Sequence, residues 1–272
     1  MTVIECGSGY KKERTCLRAS NHHYAFFLSS GVNGRELHKL FREEEMDTLT
    51  VVSYIAVFLG IISAVFIAVD LVSHPQSMKI MNIVWPINGL YLGPFAIWAY
   101  WVMGREKGDD GEDMDMGGKK PFWQSVFVST SHCSGGCTLG DAFGVPFVFF
   151  TGFTIMGSML FTHYVVEFIL AYIFGVLFQV FSIVPMNRQM GNHMSWGKGF
   201  IEAIKADTIS LIAFEIGMFG WMAIVHYVLF DTPPEPNSMP YWFMMQIAMI
   251  LGALTSYPAN WFLVKKGIKE GM

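Results

Sequence analysis

The chain has 272 residues, of which 53% are hydrophobic and only 15% charged, whereas soluble globular domains carry roughly 25% charged residues. Its mean hydropathy is +0.40 and its charges are clustered, which excludes an ordinary soluble domain. The net charge of −4 offers no basic surface for nucleic acid.

Residues 1–45 differ from the rest of the chain. They are polar, contain Cys6, Cys16, His22 and His23, and lack the apolar stretch of a signal peptide. Met46 stands directly before the first apolar run, so residues 1–45 read as a disordered extension or the product of an upstream start. The spacing of Cys6, Cys16 and His22-His23 matches no standard zinc pattern.

Apolar runs come next at residues 54–69, 80–103, 164–185, 209–230 and 241–264. Each reaches or approaches the roughly 20 residues that cross a bilayer. The first two predict a membrane hairpin over residues 46–107. Residues 108–118 form an acidic, glycine-rich linker expected to be disordered, and residues 119–272 a four-helix membrane domain. The first helix of that domain covers residues 122–159, where Ser134, Gly135, Gly136, Gly140, Gly144 and Pro146 predict a break. The expected fold class is all-α: a polytopic transmembrane bundle of about six spans, with the third interrupted at a His-Cys-x3-Cys motif.

Six spans put both termini on one side. With that side cytoplasmic, 17 of the 18 lysines and arginines lie inside and only Lys79 outside, as the positive-inside rule requires. The expected location is the cytoplasmic (inner) membrane of a prokaryote, with the lipid bilayer as the surrounding partner.

Chemistry concentrates in Ser131-His132-Cys133-Ser134-Gly135-Gly136-Cys137-Thr138-Leu139-Gly140-Asp141. If the stretch is helical, Cys133 and Cys137 share a face; if it is unwound, His132, Cys133 and Cys137 can converge. Thiolate and imidazole together suit copper(I) first and zinc second, so these three are candidate metal ligands. The plainer alternative is that the glycines allow close helix packing and the cysteines are small apolar residues.

Further ionisable residues lie inside proposed spans, where they are costly and mark ion or substrate routes. His163 and Glu167 share a face at a spacing of four. Asp207, Glu215 and His226 stand on the next helix. With Asp141 these are candidate pathway groups or partners of the ligands. Met186, Met190, His193 and Met194 form a loop cluster that could contact copper(I), although methionine also fills irregular gaps. No phosphate-binding loop, dinucleotide fingerprint or HExxH motif is present, and the cysteine spacing is not the CxxC of thiol oxidoreductases.

The segments Met81-Asn82-Ile83-Val84-Trp85-Pro86, Tyr91-Leu92-Gly93-Pro94, His132 to Asp141, Lys205-Ala206-Asp207-Thr208, residues 241–249 and Tyr257-Pro258-Ala259-Asn260-Trp261 together resemble an uncharacterised bacterial and archaeal membrane family, DUF4396. The commoner family motif has Gly-Ala-Gly where this chain has Ser134-Gly135-Gly136, and residues 190–194 look like an insertion. The resemblance implies a membrane fold and weight for the central motif, but no reaction. Internally, Trp85-Pro86-Ile87-Asn88 is echoed by Tyr257-Pro258-Ala259-Asn260, each placing an asparagine beside a helix-kinking proline.

Three functions emerge as expectations. The first is binding or movement of a soft transition metal, alone or with metal-handling partners. The second is a membrane-embedded thiol enzyme, redox or acyl-transferring. The third is a structural or assembly subunit of a membrane complex.

Overall fold

The structure, a computed structural model, describes residues 34–105, 121–189, 191, 193–269 and 271, with residues 34–45 and 189 described by backbone only. Cys6, Cys16, His22, His23, Met190 and the 108–118 linker lie outside the described residues. The described residues are helical apart from their connections. α1 is Gly34–Ser73, α2 Met81–Leu92, α3 Pro94–Ala99, α4 Phe122–Thr151, α5 Met159–Gln189, α6 Trp196–Ile224 and α7 Met239–Lys265; π turns at Tyr100–Gly104 and Val225–Leu229 extend α3 and α6. Residues 34–45, expected within a disordered extension, belong to α1. Among the described residues, 34–48 belong to a separate unit from the rest, which begins at Leu49.

Five helices are long and apolar enough to cross a membrane: Met46–Ser73, Phe122–Thr151, Met159–Arg188, Trp196–Leu229 and Met239–Lys265. Outward-facing Ile55, Phe58, Ile62, Phe66 and Val69 on α1 form an apolar face far longer than a water-soluble monomer tolerates. Such a face belongs in lipid.

The expected sixth span is absent among the described residues, because 80–103 folds back on itself. Gly93 takes a positive φ of 57°, ending α2 and letting Pro94 start α3, the proline position that helix starts favour. Trp85 and Tyr100 meet edge to face at 5.6 Å, whereas a straight helix would hold them about 22 Å apart. The hairpin therefore enters and leaves by one face. Arg105 Nε, just beyond it, bonds Asp70 Oδ2 at 3.1 Å near the end of α1, and the Tyr100 hydroxyl bonds the same oxygen at 2.7 Å. The hairpin tip reaches the middle of the α1 span. A Cβ on Gly89 would lie 2.8 Å from Ala64 Cα, and Gln246 Nε2 holds the Leu90 carbonyl at 2.6 Å.

The end of α1 lies at the same face as the end of α5, since Ser182 Oγ contacts Met78 Sδ at 3.0 Å. The start of α4 and the end of α7 meet through Phe122 and Trp261, 4.6 Å apart. Since α4, α5, α6 and α7 run alternately up and down, α7 ends at the face where α1 ends. Counting cations by loop puts Lys79 and Arg105 on opposite sides; here both lie at one face, with Arg188, Lys198, Lys265, Lys266 and Lys269. We call it the basic face.

α4 is central, with an unbroken run of buried residues from Val128 to Thr138. The interruption expected there does not occur: Phe122–Thr151 is one helix. Its glycines serve close packing. A Cβ on Gly136 would stand 2.7 Å from Gly175 Cα of α5, one on Gly140 would collide with the Ala171 backbone, and one on Gly144 would stand 2.9 Å from Glu167 Cγ. This is the small-xxx-small packing of membrane helices. It outweighs the helix cost of about 1 kcal/mol per glycine.

Candidate functional site

A helical α4 fixes which motif side chains can meet. Cys133 and Cys137 share one face in the same buried cluster, and both are free thiols. His132 points elsewhere, toward Phe178 at 6.4 Å between ring centroids, and neither ring nitrogen has a hydrogen-bond partner among the described residues. No group of three or more His, Cys, Asp or Glu side chains is arranged to hold a metal among the described residues.

Polar groups continue from the thiols in both directions. Toward the basic face, Cys133 Sγ donates to Ser210 Oγ at 3.6 Å, and Ser210 Oγ lies 3.2 Å from Asp207 Oδ1. Lys269 Nζ donates to Asp207 Oδ1 and to Asn260 Oδ1, each at 2.9 Å. Asn260 Nδ2 donates to Ser256 Oγ at 2.9 Å, and Ser256 Oγ donates to the Ser210 carbonyl at 2.9 Å. His132 lies within electrostatic reach of Lys269 and Asp207. Burial by itself would lower the value of the Lys269 ammonium, but the Asp207 charge and hydrogen bond, together with the nearby Cys133 and Cys137, hold it above the ordinary lysine value.

Toward the opposite face, Cys137 lies beside Glu215 and Asp141. Asp141, Glu167 and Glu215 are within electrostatic reach of one another. The carboxylate oxygens of Asp141 and Glu215 are buried without a hydrogen-bond partner among the described residues. Glu167 Oε1 pairs with His163 Nδ1 at 2.9 Å. Beyond them opens a cavity of about 180 Å³ lined by Met159, His163, Glu167, Met222, His226 and Tyr241, with Pro233–Pro236 of the α6–α7 loop at its rim.

From Asp207 to His226 this polar column climbs α6 by about 28 Å, close to the roughly 30 Å of a hydrocarbon core. A low-dielectric interior disfavours three carboxylates charged at once with a single imidazole beside them. The hairpin tip touches the column too. Asn88 Nδ2 donates to the Ser131 carbonyl at 3.3 Å, and the Tyr91 hydroxyl donates to Asn88 Oδ1 at 3.1 Å.

The structure thus brings Cys133, Cys137, Asp141, Glu167 and Glu215 into one stretch, with His163 and His226 at its mouth and Asp207 at its far end. Sequence reasoning missed Lys269, Ser210 and Ser256. Asn88 and Asn260 carried a signal, the repeated aromatic-Pro-x-Asn: both asparagines are buried, Asn260 within the column and Asn88 on the Ser131 carbonyl of α4. His193 of the loop cluster is exposed and apart from it. A family model described as a domain of unknown function, DUF4396, matches residues 122–269, more than half the chain. No curated protein and no solved structure matches.

Proposed function

We propose, starting from the premise that the chain belongs to the DUF4396 family, that it binds or moves a soft transition metal through the bundle interior, copper(I) first and zinc second. The observation that carries this reading is the cavity opposite the basic face. Two thioethers and two imidazoles line it, and the carboxylates and thiols lie deeper along the same column. Soft and borderline donors in that order suit copper(I).

In this reading Cys133 and Cys137 are the ligands, and Asp141, Glu167 and Glu215 take up or release protons as the metal arrives and leaves. His132, which faces Phe178, is not among the ligands in this reading. Thiolate binds metal and thiol does not, so uptake releases protons and weakens as pH falls. The basic face is cytoplasmic, because it gathers the cations of the described residues from Lys79 onward while the connections at the other face carry none. No observation favours a thiol nucleophile, since both sulfurs are buried in the apolar core of the bundle and buried structural thiols are inert.

The test is metal analysis of purified protein after loading with copper(I) and then with zinc, beside Cys133→Ser and Cys137→Ser. Wild type should retain about one equivalent of copper(I) and each variant should lose most of it. Wild type that takes up neither metal ends the proposal.

A further inference from the structure

Lys269 is an anomaly. A lysine four residues beyond the last membrane helix ordinarily lies in solvent, and its neighbours Lys266 and Ile268 do. Lys269 is only 2% exposed. The backbone explains how it turns inward: Gly267 takes a φ of +67°, and the amides of Ile268 and Lys269 return to the Leu263 carbonyl at 3.0 and 3.3 Å. This is a helix-ending turn that only glycine makes without strain. The turn aims the ammonium back into the bundle.

The ammonium lands among oxygens. Asp207 Oδ1 and Asn260 Oδ1 each accept from it at 2.9 Å. The Asn260 amide is oriented for this by donating its nitrogen to Ser256. Asp207 Oδ2 is buried and has no hydrogen-bond partner among the described residues. Carboxylate, amide and hydroxyl oxygens are the donors hard cations prefer, and a single carboxylate balances a single positive charge. The pocket thus holds one positive charge on oxygen acceptors alone.

We infer that Asp207 and Asn260, backed by Ser210 and Ser256, form a binding site for a small monovalent cation at the basic-face end of the polar column, and that the Lys269 ammonium is a tethered competitor which plugs it. The site uses hard oxygen donors and stands apart from the thiol pair. It goes beyond the soft-metal reading and does not depend on it. Withdrawal of the tail exchanges one positive charge for another, so the end of the column opens without leaving Asp207 bare.

The test removes the plug and supplies free cations. Full-length Lys269→Ala and Lys269→Gln are purified in detergent, and thermal unfolding is followed in sodium, potassium, ammonium and choline chlorides at equal ionic strength. Either variant should melt lowest in choline and gain about 5 °C in at least one small cation at saturation. Wild type should show no such difference, and adding Asp207→Asn should abolish the gain. Equal melting in all four salts overturns the proposal. Failure of both variants to fold in every salt overturns it too, since no free cation then replaces the ammonium. Copper(I) does not enter this readout, so failure here leaves the thiol reading untouched.

Discussion

The two ends of the polar column neutralise buried charge in different ways. At the basic face, Asp207 meets a lysine delivered by the chain itself, held by two 2.9 Å hydrogen bonds. At the other end, Asp141, Glu167 and Glu215 gather with one imidazole, that of His163, and the oxygens of Asp141 and Glu215 have no hydrogen-bond partner among the described residues. A charge whose partner is covalently attached is closed to exchange until the tail moves. A charge whose partner diffuses in is open to exchange from the start. Under the proposed readings, one end acts as a stopper and the other as a receptor.

The largest expected effect breaks the stopper. Asp207→Asn leaves the Lys269 ammonium buried without its counter-charge, and a lone member of a buried pair costs about 3–5 kcal/mol. Thermal or denaturant unfolding in detergent measures it, and a loss under about 1 kcal/mol would mean that the pair is not buried. Combining Asp207→Asn with Lys269→Met should recover most of that loss.

A smaller effect comes from alkali. The folded-state value of Lys269 is raised, so its contribution is complete below the ordinary lysine value of about 10.4 and is lost as pH rises through the raised one. Wild type should therefore lose more stability on alkaline titration than the doubly substituted protein. Parallel curves would contradict the pairing.

The smallest effect has the opposite sign. Glu215→Gln replaces a buried carboxyl group that has no cation of its own by a neutral amide, so stability should hold or rise by about 1 kcal/mol. A loss above about 2 kcal/mol would show that Glu215 is paired and that the two ends are alike. The same substitution should weaken copper(I) uptake, read by metal analysis.

Much of this was legible in the sequence. The helical class, the spacing that joins Cys133 to Cys137, and the interior carboxylates all derive from hydropathy and the period of a helix. Two errors have one cause, which is that composition does not distinguish a glycine that bends from a glycine that packs. Gly135 and Gly136 read as a break, yet Gly136, Gly140 and Gly144 face α5 at backbone distance. Gly93 reads as one more residue of an apolar run, yet its positive φ folds 80–103 into a hairpin and removes a crossing. Hydropathy is blind there as well, because an apolar segment that returns buries as well as one that crosses. The adjacent Gly93-Pro94 was the available signal. Lys269 was hidden for another reason, since counting cations by loop assumes that each faces water.

The glycine seams also bear on movement. α4 lies against α5 along Gly136, Gly140 and Gly144, and α6 lies against α7 where Gly217 meets Thr255 and Gly252 meets Phe214. Such close seams leave few side chains to repack, so each pair is expected to hold together as one stiff lever. Cys133, Cys137, Asp141 and Glu167 ride on the first lever; Asp207, Ser210, Glu215 and Asn260 ride on the second. A rocking of one against the other would part the line of donors along its whole length while leaving both seams shut.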